Sequence, residues 1–543
     1  MNGDKTSSKQ HVGDRTEFFG SQVGGESVIS YSYTDLPWKL VAYDIKYFFA
    51  FAWALPWIVW PVRPCDGGHF DELSFTADNI WCMAIHAILF ILQLLFLISL
   101  PLALLLPVYL FIAALGVFFL VNWLLCRCLN GKTIMYESDP KYAPALAEHQ
   151  HEQWVFLNGV AVGEAWLKSN INRLALTFKR PVLGIHNRTT GIIFDVIECL
   201  IQRNFSYATS DVRLAYKILK EKLYNPQYSK VVFILHSQGG VEGGLVLDWL
   251  LQELPQDLLA KLEVYTFGNA ANHFNNPHRH IQSQQEEQKY PNTRTQVPEV
   301  ITDIPISDSP VQMRTPSLRT QLSNGSDLPP ENTDHPQPLT AVTNGVRTPP
   351  RRTHIIPAND RAIGHVEHYA HTTDFVAIWG LLHFVVNKRA SPEMPRFIGR
   401  VFSRVSSRGG HQFNQHYLNG MFPMARDEDG EFTGCADHND FMNSAVEIAK
   451  RGTEKKDARE GFENSWAMTG LAGDPDSPIP LGVEVHGTFY GSFHGSLRGR
   501  SIDSDQDLFD GTVKVKHLSR LWQYRNGRSP PDVPQGLVRG VTV

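Results

Sequence analysis

Between residues 153 and 267 the chain alternates short apolar runs with longer stretches whose apolar positions recur every three or four residues. The runs 153–157, 181–185, 231–235 and 262–267 carry almost no charge and many β-branched or aromatic side chains, which predicts buried strands. The stretches 162–178, 192–201, 212–223 and 241–251 have helical spacing. In the third, Val212, Ala215, Tyr216, Leu219 and Leu223 fall on one face. A strand at 364–370, a helix at 375–386 and a strand near 396–405 continue the series. Strands alternating with helices predict an α/β architecture, a mainly parallel doubly wound sheet covered on both faces.

The longest apolar feature lies upstream. From Asn79 to Cys126 there is no Asp, Glu, Lys or Arg. One helix over that stretch would run roughly 70 Å, whereas a bilayer core needs only about 20 residues. Two transmembrane helices, about 80–100 and 102–125, therefore fit better than one, turning near Pro101 or Pro107. Trp81 and Trp123 suit the interfaces. Segment 47–62 is rich in Trp and Phe but broken by Pro56, and reads as membrane-contacting. Arg127, Lys132 and Lys141 follow the second helix, while Asp66, Asp71, Glu72 and Asp78 precede the first. A hairpin leaves both flanks on one side, and the positive-inside rule makes that side the cytosol. The expectation is an integral, multi-pass membrane protein with a cytosolic α/β domain.

Composition bounds the remainder. Residues 1–35 are polar and lack periodicity, which predicts disorder. The membrane region spans 36–130 and the α/β domain 145–425. Segment 276–357, crowded with Gln, Asn, Pro, Ser and Thr, reads as a disordered insertion in that domain. Residues 426–543 read as a mostly polar, partly disordered tail, with a strand or hairpin pattern at 481–493. The net charge of −5 and dispersed Lys and Arg give no sign of nucleic-acid binding. Six cysteines without a CxxC pair suggest neither a disulfide framework nor a zinc ribbon. His365, His368 and His371 are spaced by three, which on a strand puts the middle one on the opposite face. No metal and no cofactor are expected.

The candidate chemistry sits at 231–240, Val-Val-Phe-Ile-Leu-His-Ser-Gln-Gly-Gly. A buried strand that stops at a serine in a tight turn and continues as a helix is the geometry of a nucleophile elbow. Leu235 stands where the elbow pattern has its first glycine, which requires a shifted backbone or a roomier neighbour. Ser237 as a plain helix cap is the bland alternative. A serine nucleophile needs a base and an acid to orient it, and in such sheets the chain order is Ser, acid, His. Asp374, ending the next-but-one strand, and His411, in Arg408-Gly409-Gly410-His411, supply that order. Asp374 could also cap the helix after it, and His416 is the rival base. Asp195 precedes the elbow and reads as a helix-surface charge. The oxyanion donors would be the N–H of Gln238 and that of Gly159 or Val160, in the turn after the first strand.

The segments Trp154–Gly159, Gly184–Thr189, Leu235–Gly240, Phe267–Asn272 and Gly410–Leu418 resemble those of a family of fungal membrane-anchored α/β-hydrolase-fold proteins, lipase- or esterase-like and mostly uncharacterised. The resemblance covers roughly residues 40–425. It implies an α/β-hydrolase fold behind a transmembrane hairpin and a Ser–His–Asp hydrolase, and the leucine at the elbow is usual in that group. The resulting expectation is a membrane-anchored serine hydrolase acting on lipid esters, with a lipid or other ester substrate and the bilayer as its partners. The competing expectation is a catalytically inactive membrane scaffold or binding protein, with the 276–357 insertion recruiting proteins.

Overall fold

The computed structural model describes residues 15–19, 36–103, 105–277, 361–386, 399–406, 409–437, 439–448, 484–485, 488–489 and 514–530. The expected insertion therefore lies, apart from its first two residues, outside the described residues.

A nine-stranded sheet organises the chain. In chain order its strands are β1 (Arg15–Phe19), β2 (Met135–Glu137), β3 (Glu152–Leu157), β4 (Val182–Ile185), β5 (Lys230–His236), β6 (Leu262–Phe267), β7 (His365–His371), β8 (Arg400–Val405) and β11 (Val446–Ile448). Two further strands, β9 (Met424–Arg426) and β10 (Phe432–Cys435), form a separate antiparallel pair. The spatial order is β11-β1-β8-β7-β6-β5-β3-β4-β2. The six strands from β4 to β8 run parallel, as the alternation of strand and helix requires. β2 is antiparallel at one edge, and β1 pairs antiparallel to β8 near the other. Along β5 the apolar side chains alternate between two cores. Val232 and Ile234 join Trp154, Phe156 and Tyr265 on one face. Val231, Phe233 and Leu235 join Val155, Leu157 and Val264 on the other. Both faces are dry, so an uninterrupted apolar run is what this strand needs.

The covering helices follow the periodicity closely: α4 (Glu164–Phe178), α5 (Ile192–Phe205), α6 (Ser210–Tyr224) and α7 (Gln238–Glu253). The helix expected over 375–386 is two short ones, Phe375–Trp379 and Leu381–Val386. They break at Gly380, where a Cβ would lie 2.4 Å from the Asn269 carbonyl oxygen, so the backbones touch there.

Upstream, α2 (Ala77–Ala103) and α3 (Val108–Asn130) are both long and apolar enough to cross a membrane. The first is longer than the segment expected for it, the second is shifted toward the C-terminus by about five residues, and they are joined through Pro107. Before them, α1 (Pro37–Ala50) and a 3-10 segment (Ala52–Ile58) occupy the expected membrane-contacting region. The segment is two-faced. Tyr47, Phe48 and Phe51 pack against the core, while Phe49, Trp53 and Trp60 are exposed. A buried pair, Arg203 to Asp44 at 2.6 Å, ties α1 to α5.

Both ends of the chain contribute more than composition suggests. Residues 15–19, inside the stretch expected to be disordered, form β1, with Phe18 buried opposite Phe402. Five residues flanked by polar ones are too short a pattern to read. The tail expected to be mostly polar supplies β11 and two helical turns, Val515–Leu518 and Arg520–Gln523, whose Val515, Leu518 and Leu521 are buried. These turns close the amino edge of the parallel strands. Arg520 donates to Glu263 at 3.0 Å and, through its N–H, to Glu367 at 2.8 Å, while Tyr524 donates to Glu263 at 2.8 Å. Residues 484–485 and 488–489 pair antiparallel, within the stretch expected to hold a strand or hairpin.

Burial opposes charge on Glu263 and Glu367, but neighbouring cations, Arg520 and Lys230 for the first and Arg400 and His365 for the second, outweigh it and hold both at about 2. A carboxylate depressed on folding stabilises above its ordinary pKa, and that stability is lost as pH falls toward 2. Glu263→Gln should therefore cost about 3–5 kcal/mol at pH 7 by leaving Arg520 uncompensated. In thermal melts of the detergent-solubilised chain, the gap between wild type and variant should narrow between pH 4.5 and 3.

Candidate active site

Ser237 stands at the carboxyl end of β5 with φ +58° and ψ −123°, a left-handed conformation that costs an ordinary residue of order 1–3 kcal/mol. Three backbone bonds hold it there. Its N–H donates to the Phe267 carbonyl at 3.0 Å, and its own carbonyl accepts from Gly240 at 3.0 Å and Ala270 at 3.1 Å. The turn throws the hydroxyl off the sheet edge toward the loops that follow β7 and β8.

Those loops bring the other two residues. His411 Nε2 lies 3.0 Å from Ser237 Oγ, and His411 Nδ1 lies 2.9 Å from Asp374 Oδ2. Asp374 also caps the helix after it, its Oδ1 accepting from Val376 N at 2.8 Å. The capping role and the orienting role thus use different oxygens of one carboxylate. Burial works against the charge on Asp374, but His411, by charge and by hydrogen bond, and the Tyr417 hydroxyl outweigh it and hold the carboxyl below its usual range. Tyr417 donates to Oδ2 at 2.6 Å.

His416, the rival base, is elsewhere. Its Nδ1 accepts from Gln412 N at 2.9 Å and its Nε2 donates to the Pro61 carbonyl at 2.8 Å, so both nitrogens are committed to holding the loop. Burial pushes it down to about 4. The loop around His411 is braced on the N-terminal segment throughout. Gln412 donates to the Ile58 carbonyl and Gln415 to those of Pro61 and Val62. Glu72 accepts from the N–H groups of Asn414 and Gln415 at 2.8 and 3.0 Å. His236, the residue before the serine, donates Nε2–H to the His411 carbonyl at 2.9 Å and stacks on its ring at 4.7 Å. Burial holds His236 down at about 3, so it is neutral when it does so.

Two of the groups expected as oxyanion donors, Gln238 and Gly159, adjoin Ser237. Gln238 opens α7, where the first N–H groups of a helix have no partner within it. Gly159 presses against the serine, since a Cβ there would lie 2.4 Å from Ser237 Cβ. Among the described residues, no hydrogen bond engages the N–H of Gly159 or Val160. Asn158 clasps this turn to the loop after β4, donating to the Gly159 and Asn187 carbonyls and accepting from Asn187 N.

Asp195 corrects the expectation of a surface charge. It is buried and accepts from Ala161 N at 2.9 Å, Thr189 Oγ1 at 2.6 Å and Thr190 N at 2.7 Å. It therefore holds the turn that carries Gly159 and Val160. The readable signal was Thr189-Thr190-Gly191 before a helix with an acid at its fourth position. Gly268 was missed too. Its φ of +53° and a Cβ position 2.7 Å from Asp374 Oδ2 leave room only for glycine.

The three spaced histidines do not converge: His365 bonds Glu367 and His368 bonds Thr266. Glu198, Asp211 and Glu242 do bring ligand oxygens within 4.8 Å of one another, close enough to share a metal ion. The amide of Gln202 is what gathers two of them, its Nε2 donating to Glu198 at 3.2 Å, Thr209 at 3.0 Å and Glu242 at 3.3 Å.

The missing elbow glycine is explained by α7. A Cβ at Gly243 would lie 2.3 Å from Leu235 Cδ1, so the space a leucine needs comes from a glycine one turn into the helix. Comparison with protein-family models, with curated proteins and with solved structures finds no match to this chain.

The Leu235–Gly243 contact predicts coupling. Gly243→Ala should lower stability by about 1–3 kcal/mol through overpacking. Adding Leu235→Ala should restore part of that loss. A double-mutant cycle on melting temperatures should give a coupling energy above about 0.5 kcal/mol, and additive effects would contradict the contact.

Proposed function

We propose that this chain is a membrane-anchored serine hydrolase of the α/β-hydrolase fold, lipase- or esterase-like, acting on a carboxylic ester of a lipid. One observation carries the reading: the unbroken hydrogen-bonded series from Ser237 Oγ through both His411 nitrogens to Asp374. The chain order nucleophile, acid, base and the placement of all three at the carboxyl ends of parallel strands support the fold.

In the proposed reaction, Ser237 Oγ attacks the ester carbonyl while His411 Nε2 takes its proton. Asp374 fixes the ring so that Nδ1–H faces the carboxylate and Nε2 faces the serine. The oxyanion is received by the N–H of Gln238 and by the turn at Gly159 and Val160. Collapse expels the alcohol, which takes the proton from His411. Water, deprotonated by the same nitrogen, then releases the acid and restores the serine. No cofactor enters any step. The lipid substrate follows from the two apolar helices, which would keep the site beside a water-insoluble ester.

A second reading, a catalytically inactive membrane scaffold, draws on the burial of the site: Ser237 is 2 % exposed and His411 5 %. Under that reading the serine is never reached. Labelling by a fluorophosphonate probe in detergent micelles separates the two. The hydrolase reading expects labelling of the wild type and none of Ser237→Ala. It also expects a loss of at least about 10³-fold in labelling rate for His411→Gln, and a smaller loss, within about tenfold, for His416→Gln. Equal labelling of wild type and Ser237→Ala would exclude Ser237 as the nucleophile, and a wild type that neither labels nor cleaves esters would favour the scaffold.

A further inference from the structure

The two apolar helices are long enough to cross a bilayer, but they do not stand free over their whole length. On α2 the buried positions are Asn79, Cys82, Ile85, His86, Leu89 and Gln93, and on α3 they are Asn122, Cys126 and Leu129. Among the described residues from 94 to 121, none is buried. The boundary is fixed by polar bonds. Gln93 donates to Asn122 Oδ1 at 2.9 Å and to the Thr190 carbonyl at 2.7 Å, and its own oxygen accepts from Ile193 N at 3.1 Å. Asn122 donates to the same Thr190 carbonyl at 3.1 Å. Further back, Trp166 of α4 donates to Asn79 at 2.9 Å. The half of the hairpin next to its flanks is thus packed on the α/β unit, at the start of α5 and along α4.

What remains free is short. Residues 94–103 of α2 reach about 15 Å and 108–121 of α3 about 21 Å, against a hydrocarbon core of about 30 Å. For the turn to reach the far interface, the amino end of α5 and its bonded loop would have to sink into hydrocarbon, where unsatisfied polar groups are costly. The surface beside the hairpin is suited instead to a lipid interface. On α5 the exposed side chains include Ile197, Ile201 and Phe205, and on α1 Trp38, Ile45 and Phe49. Phe194 of α5 packs on Phe96, Phe118 and Phe119 of the hairpin, so α5 is continuous with it. Exposed aromatic rows of this kind lie well at the headgroup level.

We infer that the hairpin enters one leaflet of a phospholipid bilayer and stops near its midplane, with the exposed rows of α1 and α5 resting in the headgroup layer of that leaflet. This differs from the two complete passes that length alone suggests. The inference rests on the membrane reading and not on Ser237, so loss of one leaves the other standing.

Depth measurement tests it. The full chain carrying Leu105→Cys at the turn, in a Cys128→Ser background, is labelled with an NBD fluorophore and reconstituted into phosphatidylcholine–phosphatidylserine vesicles. A wedge places the dye near the bilayer centre, so lipids brominated near the acyl-chain ends should quench at least about twofold more than lipids brominated near the headgroup. Dithionite should fail to bleach it even after the vesicles are permeabilised. The same label at Val108→Cys should give the same depth. Stronger quenching by the shallow bromines, with bleaching once the vesicles are permeabilised, means the turn has reached the far face and overturns the inference. Failure of the wild-type chain to float with vesicles overturns it by removing the membrane reading itself, whatever the outcome of fluorophosphonate labelling.

Discussion

A carboxylate without access to water has to be neutralised where it stands, and Asp374 is that constraint for this fold. Three partners meet at its two oxygens: the helix it caps, the histidine loop and the hydroxyl of Tyr417. Each bond answers part of the cost of burying the charge. Remove the sheet register that carries β6 and β7 side by side and Gly268 no longer clears that carboxylate. The position of His411 is therefore set by its braced loop and by the need of an ionised group for partners together.

The parts of this arrangement that could be read from the sequence are those whose determinants lie within a few residues of each other. The run 231–240 announces a strand, a turn and a helix because all three are local. Asp374 is legible because it ends a strand, and His411 because glycines precede it, although 22 histidines make any one of them a weak signal. Tyr417 and Gly268 were not legible. Their work depends on Asp374, 43 and 106 positions away in the chain, and nothing in their own neighbourhood reports it. The separation of His411 from His416 is of the same kind: it turns on whether Pro61, some 350 residues earlier, accepts a hydrogen bond.

The same logic applies to the chain ends. β1 and the turns at 515–523 are short, polar in composition and remote from what they touch. The turns are held by two acids at the amino edge of the sheet, Glu263 and Glu367, which accept from Arg520 and Tyr524, and β1 is held by its pairing with β8 and β11. Composition averages over such segments and reports them as tail. The N-terminal apolar region illustrates the converse. Its length and lack of charge were evident, yet its polar interior positions, Gln93 and Asn122, gain meaning only when their partner at Thr190 is known. The segment from Ile58 to Val62 then joins this apolar region to the loop carrying His411.

The exchange between Leu235 and Gly243 has a wider implication for how elbows of this shape are found. A steric requirement at the strand-to-helix junction can be met from either side, by trimming the strand or by trimming the helix that packs on it. Signature searches written on five consecutive letters encode only the first solution. A two-position rule, demanding a small residue at one of two sites eight apart, would admit chains of this kind and would discard chance occurrences in which both sites are bulky.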